Sequence, residues 1–180
     1  MTGIPLSPAG LWALDTGHTQ VGFSVRHLGI STVRGFFTDY SGHATIGEDL
    51  ASSSVTISAN TSSVNTGNTW RDGHLQAADF LDCENHPTMT FTSTSLVATG
   101  DGEGYTLEGD LTIRGVTKRV SFALLFHGTD VFPVDNKTHA GFLATATILR
   151  SDFGAGYGVP IASDEVKLSI DAQIIAPDPA

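Results

Sequence analysis

The chain has 180 residues, of which 40% are hydrophobic and ten are Phe, so it carries enough apolar side chains for a folded core. Its formal net charge is -10, which argues against binding to nucleic acid and against attraction to an anionic membrane by charge. The single cysteine, Cys83, excludes an internal disulfide, and no apolar run approaches the roughly 20 residues of a membrane-spanning helix.

The chain begins with an irregular lead-in, residues 1–10, which contains Pro5 and Pro8. This segment has neither the basic region nor the continuous apolar run of a signal peptide, so we expect a cytoplasmic, soluble protein. Apolar and polar residues then alternate, which is typical of strands with one buried face. Phe36 and Phe37 point to opposite sides, which leaves the inward face of one strand undetermined. The alternation predicts strands at residues 11–14, 20–27, 33–46 and 55–59.

Residues 68–80 break the alternation and predict one short helical insertion. Asn68 or Thr69 can cap its first turn with a side-chain oxygen, and Gly73 limits it to one or two turns. A short helix among many strands usually covers the open end of a barrel or the mouth of a pocket. We therefore expect this segment to close part of the fold.

Alternation resumes after Pro87 and predicts the remaining strands, with a strong turn signal at residues 100–104. About eight strands joined mostly by short turns indicate a β-sandwich or a β-barrel. We interpret residues 11–176 as one all-β domain, an eight-stranded antiparallel barrel with one helical insertion, followed by a loose tail at residues 177–180. The later strands are predicted from Met89 onward and at residues 105–113, 120–126, 140–148 and 166–174.

The interior of such a barrel is either hollow or filled. Small residues such as Gly35, Gly109 and Ala144 leave volume if they point inward, and neighbouring Phe rings would line that volume with carbon. An eight-stranded barrel can hold one small ligand, but large and small residues can also alternate only to pack the core. For a hollow barrel, the predicted tail-contacting residues are Phe23, Val25, Phe37, Phe91, Leu111, Phe122, Leu124, Phe126, Phe142 and Ile148.

The reactive side chains do not predict a catalytic or a metal site. None of the seven His residues has the HxH or HExxH spacing of a metal site, so we expect neither a metal nor a cofactor. Asp72 and His74 could form a base-and-orienter pair, but no serine in a nucleophile elbow accompanies them. Arg71, His74 and Arg150 are instead candidates to contact the polar head of a bound amphiphile, although Arg71 and His74 could also hold the insertion to the barrel.

Six motifs follow one another along the chain and carry its most specific signal. They are Trp12-Ala-Leu-Asp15 followed by His18, Phe23-Ser-Val-Arg-His27 with Val33-Arg-Gly35, Arg71-Asp-Gly-His-Leu75 with Asp79-Phe80, Pro87-Thr-Met-Thr-Phe91, Leu111-Thr-Ile-Arg-Gly-Val-Thr117 and Arg150-Ser-Asp-Phe-Gly154. Together they resemble the YceI-like family of polyisoprenoid-binding proteins, and the resemblance extends from Trp12 to about Ile174.

The resemblance implies an eight-stranded lipocalin-like barrel with a long apolar cavity, no established catalytic residues and a homodimer. It also implies a ligand such as an isoprenoid quinone, a polyprenyl compound or a similar long-chain amphiphile. We predict a non-enzymatic protein that binds, stores or transports such a lipid, with no nucleic acid partner and no stable insertion into a membrane. Two alternatives stay open: an enzyme acting on such a lipid, and a structural or stress-response module with a filled core.

Overall fold

The computed structural model describes residues 6–100 and 104–178 of the chain. Parts of the predicted lead-in, turn and tail (residues 1–5, 101–103 and 179–180) lie outside the described residues. The described residues form eleven strands, one α-helix and two 3₁₀ turns, and all strand pairings are antiparallel. In chain order these are β1 (Gly10–Leu14), β2 (Gln20–His27), β3 (Ser31–Phe37), β4 (Tyr40–Ile46), β5 (Ser54–Asn60), a 3₁₀ turn (Thr61–Ser63), β6 (Val64–Asn65), α1 (Thr69–Gln76), β7 (Thr88–Ala98), β8 (Gly104–Ile113), β9 (Val116–Phe132), β10 (Lys137–Leu149), a second 3₁₀ turn (Arg150–Phe153) and β11 (Ala162–Ile175).

These strands occupy the eight positions of a closed barrel. β1 and β2 both lie beside β11, β3 is followed directly by β4, and β5 leads through the first 3₁₀ turn into β6. Each of these three pairs of consecutive strands occupies one strand position of the barrel. The order of positions around the barrel is then β1/β2, β3/β4, β5/β6, β7, β8, β9, β10 and β11. Pairing of Ala13 with Ile175, and of Leu14 with Ile174, closes the ring. The predicted eight-stranded antiparallel barrel is confirmed.

The strand predicted at residues 33–46 is interrupted at Thr38 and Asp39. Phe37 is buried at the end of β3, and Ala44 is buried in β4. In an unbroken strand, only residues that are an even number of positions apart point to the same face. Residues 37 and 44 are an odd number of positions apart, yet both point inward. The interruption therefore shifts the inward-facing positions by one residue, which alternation alone did not reveal.

One end of the barrel, named here the open end, is not completed by strands. It is formed by the β2–β3 turn (residues 28–30), α1, the segment at residues 77–87 and the segment at residues 150–161. Within the described part of the chain, β6 pairs only with β3, and α1 follows it. The Asn68 side chain caps α1 by accepting a hydrogen bond from the Arg71 N–H at 3.0 Å. The predicted helical insertion thus stands where the strand ladder stops.

Two glycines that were expected to leave interior volume are covered by aromatic rings instead. A Cβ atom on Gly35 would lie 2.5 Å from Cζ of Phe23, its cross-strand neighbour. A Cβ atom on Gly109 would overlap the ring of Phe91. The interior space therefore depends on alanines rather than on these glycines.

The seam between β1/β2 and β11 is held by polar groups where the chain passes from β1 to β2. The Asp15 N–H donates to the Gln173 carbonyl at 2.8 Å, and the Gln173 N–H donates to the Thr19 hydroxyl at 3.0 Å. The Gln173 side-chain amide donates both to the Asp15 carboxylate at 3.1 Å and to Nδ1 of His139 at 2.7 Å. On the other side of the ring, Nε2 of His139 lies 3.0 Å from the Asp135 carboxylate.

We predict that Gly109→Ala lowers the free energy of unfolding by about 1–3 kcal/mol. Its Cβ atom would lie 2.5 Å from the Thr92 carbonyl oxygen, a backbone atom that cannot move without disturbing the ladder. The control is Gly73→Ala in α1, where no neighbouring atom lies within 4 Å and a better helix former should stabilise by roughly 0.5–1 kcal/mol. Urea unfolding followed by circular dichroism measures both variants, and equal stabilities would contradict this packing.

Asp15 makes the stability of the seam depend on pH. Burial alone would raise the pKa of Asp15, but hydrogen bonds from His18 and the Gly17 N–H, with the charges of His18 and His139, hold it below its usual 3.8. A carboxyl whose folded-state pKa is depressed stabilises the fold above its unfolded pKa, and this contribution is lost as pH falls through the folded-state pKa.

We therefore expect the difference in unfolding free energy between wild type and Asp15→Asn to be largest above about pH 4 and to shrink on acidification. Urea titrations at a series of pH values measure it. A difference that stays constant with pH would show that the charge of Asp15 does not contribute.

Candidate ligand cavity

A cavity of about 150 Å³, named here the inner cavity, lies inside the barrel. Its wall is formed almost entirely by apolar side chains, and the small residues Ala44, Ala59 and Ala144 lie among them. The alanines leave room between the larger rings, so this part of the barrel is not completely filled. Seven of the predicted tail-contacting residues line it: Phe23, Phe37, Phe91, Leu111, Phe122, Leu124 and Phe142.

A larger cavity of about 430 Å³, the outer cavity, lies at the open end. It is bounded by β2, β3, α1, the segment after α1 and residues 150–162. Its volume falls in the range of about 300–1,000 Å³ that is typical of small-molecule sites. Five more of the predicted ligand-contacting residues line it: Val25, Ile148, Arg71, His74 and Arg150.

The two cavities have five lining residues in common, all of them apolar. Because the same side chains bound both spaces, the two cavities are adjacent and lie one behind the other from the open end into the barrel. The residues in common are Phe23, Phe37, Met89, Ile113 and Leu168.

Phe126 is the one predicted tail-contacting residue that lines neither of these cavities. Its ring packs beside that of Phe142, its cross-strand neighbour, with 5.2 Å between the ring centroids, so it supports a residue of the inner cavity wall. The sequence analysis did not predict many of the residues that line the outer cavity. The apolar residues that alternate with the glycines at positions 154–158, and continue to Ile161, were a signal that could have indicated some of them. The missed residues include Trp70, Leu75, Phe80, Leu81, Phe153, Tyr157 and Ile161.

Aromatic rings from α1 and from the loop at residues 154–161, named here the late loop, meet at the mouth of the outer cavity. The ring of His74 lies 5.0 Å from that of Phe80 and 5.8 Å from those of Trp70 and Tyr157, between centroids. Phe80 and Tyr157 are in edge contact at 5.6 Å. Nε2 of His74 lies 3.3 Å from the Asp79 carboxylate. His74 therefore joins the insertion to the late loop and also faces the cavity.

Arg71 and Asp72 both bind Thr66, the residue at which the chain turns from β6 into α1. Nε of Arg71 donates to the Thr66 hydroxyl at 2.7 Å, and Nη2 donates to the Thr66 carbonyl at 2.9 Å. The Asp72 carboxylate accepts from the Thr66 hydroxyl at 2.5 Å and from its N–H at 2.9 Å. Asp72 and His74 thus have different partners and do not form the base-and-orienter pair that an enzymatic role would need.

Arg150 is buried and its guanidinium binds four backbone carbonyls. The acceptors are the carbonyls of Ala155, Tyr157 at 2.8 Å, Ala162 at 2.9 Å and Ser163 at 2.9 Å. Burial lowers the pKa of Arg150, and the charge of Asp164 opposes this shift. The side chain lies against the outer cavity, but most of its N–H groups hold the loop at residues 154–163.

Arg114, which directly follows β8, also binds carbonyls. Its φ of 52° and that of Gly115, 71°, form the tight turn between β8 and β9. Nη1 of Arg114 donates to the carbonyls of Ala78, at 2.7 Å, and Phe80. This residue therefore fixes the segment after α1 to the barrel.

Within residues 6–100 and 104–178, no three His, Cys, Asp or Glu side chains gather closely enough to hold a metal ion. In the same part of the chain, no helix has the length and apolar character to cross a membrane.

The family model of the YceI-like domain matches residues 12–174 of the chain. Protein YceI of Escherichia coli O6:H1 is 40% identical over 157 residues, which cover 87% of this chain and 81% of that protein. The structure of BcnA from Burkholderia cenocepacia has a TM-score of 0.80 at 21% identity, covering 89% of this chain and 98% of that one.

A further similar structure is a polyisoprenoid binding domain from Saccharophagus degradans, implicated in plant cell wall breakdown. It has a TM-score of 0.72 at 15% identity and covers 94% of this chain and 100% of that chain. At such identities these two structures establish the fold.

We expect Arg150→Lys to lower the free energy of unfolding by about 2–4 kcal/mol. An ammonium group cannot reach four carbonyls that are arranged around a planar guanidinium, so several buried acceptors lose their donors. The control is Arg119→Lys, which alters an exposed ion pair with Asp110 and should change stability by less than about 1 kcal/mol. Thermal and urea unfolding measure both, and similar losses would contradict this role for Arg150.

Proposed function

This chain belongs to the YceI-like domain family, and we propose that it binds a long-chain isoprenoid lipid, with the tail in the two cavities and the polar head at the open end. The observation that carries this proposal is the apolar space that two adjacent cavities, with five lining residues in common, provide from the open end into the barrel. An extended hydrocarbon chain fits such a space better than a compact ligand does. The name of the similar Saccharophagus degradans domain supports an isoprenoid in particular.

The energetics of burial also favour a long tail. Each buried CH₂ group contributes about 0.8 kcal/mol, so a tail of some 40 carbons would contribute about 30 kcal/mol if it were fully buried. This exceeds the ceiling of about 20 kcal/mol observed for non-covalent affinity. Partial burial in the two cavities therefore suffices for tight binding.

Of the three candidate head contacts, we assign the main role to Arg71. Its Nε and Nη2 bind Thr66, no acceptor for Nη1 is found among the described residues, and the Arg71 side chain lines the outer cavity. His74 lies beside it at the mouth. Arg150 serves mainly to hold the late loop in place, because its guanidinium donates to four backbone carbonyls between residues 155 and 163. A quinone or phosphate oxygen is the kind of acceptor that a guanidinium binds.

The proposed role is binding, storage or transport rather than catalysis. The pair that the sequence offered for an enzyme acting on the same lipid does not form, because Asp72 and His74 bind different partners. The two cavities also disagree with the alternative of a filled core. A homodimer and a cytoplasmic location remain predictions.

Native mass spectrometry of freshly purified protein tests the proposal, followed by organic extraction and identification of released lipids. We expect a polyprenyl or quinone species in stoichiometric amount, or its uptake on incubation with polyprenols. If no such lipid binds under either condition, the proposed function is wrong.

We further predict that Ala144→Phe shortens the longest polyprenol that the protein binds. The added ring projects into the inner cavity and displaces the end of the tail, which should lower affinity for long polyprenols about tenfold, equivalent to roughly two CH₂ groups. Short polyprenols, held in the outer cavity, should bind as in wild type.

The matched control is Thr145→Phe, the next residue on the same strand, which is exposed on the outer face. Titration with a series of polyprenols, read by native mass spectrometry, measures both variants. An equal loss for short and long polyprenols in Ala144→Phe would argue against a tail in the inner cavity.

A further inference from the structure

Several large hydrophobic side chains project into solvent around the mouth of the outer cavity. They come from three separate places in the chain, namely the β2–β3 turn, α1 and the loop at residues 154–161. Two are among the most exposed of all large hydrophobic residues: Ile30 is 81% exposed and Trp70 is 80% exposed. This group, named here the apolar rim, consists of Leu28, Ile30, Trp70, Tyr157, Val159 and Ile161.

Direct contacts join these places into one surface. The Leu28 N–H donates to the Ile161 carbonyl at 2.7 Å, which ties the β2–β3 turn to the late loop. The ring of His74 lies 5.8 Å from both Trp70 and Tyr157 and so connects α1 with that loop. Trp70, Tyr157 and Ile161 also line the outer cavity. The apolar rim is therefore continuous with the wall of the proposed lipid site.

The charges around the protein are distributed unevenly with respect to this rim. From Phe153 to Ser163 the chain contains no Asp, Glu, Lys or Arg, and the charges bordering the rim, such as Arg26 and Asp79, have both signs. The opposite end of the barrel, formed by the β1–β2, β4–β5 and β9–β10 connections and the end of β11, is acidic. Its described acidic residues include Asp15, Glu48, Asp49, Asp130, Asp135 and Asp178.

We propose that the apolar rim docks on the surface of a lipid bilayer, so that a tail passes between the bilayer and the outer cavity without crossing water. This rests on the proposed binding of a long-chain lipid. Trp and Tyr are favoured at the boundary between headgroups and hydrocarbon, and the uncharged loop that carries Tyr157 can enter that boundary at little cost. The acidic end then points away from the bilayer. Attraction is hydrophobic, so a zwitterionic bilayer suffices and basic residues are not needed.

A second copy of this chain is the competing occupant of the rim. Two copies related by a two-fold axis would present the same patch to each other. Such a contact would close the mouths of both outer cavities and block the passage of lipid. Docking on a bilayer leaves the mouth facing the source of lipid, which is why we favour it.

The protein carries its own fluorescent reporter for this proposal. Its two Trp residues differ completely in environment, because Trp12 is 0% exposed and Trp70 is 80% exposed. Phosphatidylcholine vesicles should therefore shift the emission of Trp70 to the blue and co-sediment the protein. Neither effect should weaken with added salt or increase with added phosphatidylglycerol. The Trp70→Phe variant should still co-sediment but lose the shift.

Two substitutions at equally exposed positions separate the rim from the rest of the surface. Ile30→Asp should lower the vesicle partition coefficient about tenfold, because an aliphatic contact is lost and a charge is added. Val134→Asp, on the β9–β10 turn at the acidic end and also 81% exposed, should leave it unchanged. Equal effects of the two substitutions would overturn the proposal. So would a blue shift that appears without vesicles as protein concentration rises, since a second copy would then cover the rim.

Polyprenol delivered from cyclodextrin, without vesicles, distinguishes this proposal from the proposed function. Ile30 does not line the outer cavity, so Ile30→Asp should bind polyprenol with wild-type affinity but take it up from vesicles more slowly. If wild type binds polyprenol but not phosphatidylcholine vesicles, the docking proposal is wrong and the proposed function stands. If it binds vesicles but no polyprenol, the docking is supported and the proposed function fails.

Discussion

The open half of this barrel depends on hydrogen bonds from arginine side chains to backbone carbonyls. Where the ladder stops, the backbone loses the partners that neighbouring strands would supply, and buried carbonyls without donors are costly. Arg71, Arg114 and Arg150 supply those donors to the turn before α1, the segment after it and the late loop. A guanidinium suits this task because its donors lie in a rigid plane and remain charged.

This arrangement explains how a protein can keep a hollow space at its edge. Packing of side chains normally holds a wall in place, but a wall around a cavity has no atoms on its inner side to pack against. At the open end the polar bonds lie within the wall and behind it, whereas apolar side chains face the cavity. Arg150 shows this arrangement: its guanidinium binds carbonyls of the late loop. The guanidinium carbon lies 5.7 Å from the centroid of the Phe80 ring, which lines the outer cavity.

The regular half of the fold could be predicted from the sequence, whereas at the open end only the short helix and part of the cavity wall could. Period-two alternation located the strands and most of the inner wall, because a ladder forces one face of each strand inward. It did not reveal the change of face at Thr38 and Asp39, since that depends on an interruption without a strong turn signal. It also could not decide whether an arginine at a strand end binds carbonyls or ligand. That depends on which backbone the fold brings to the guanidinium: a segment far away in the chain for Arg114, and the loop that follows it for Arg150.

The interruptions in β1/β2, β3/β4 and β5/β6 divide three neighbouring strand positions into separate segments. Each segment keeps its own register, so a shift of β2, β3 or β6 is not transmitted along a continuous ladder to β1, β4 or β5. A displacement at the open end, such as the entry of a ligand requires, can therefore be accommodated there while β1, β4 and β5 keep their pairing.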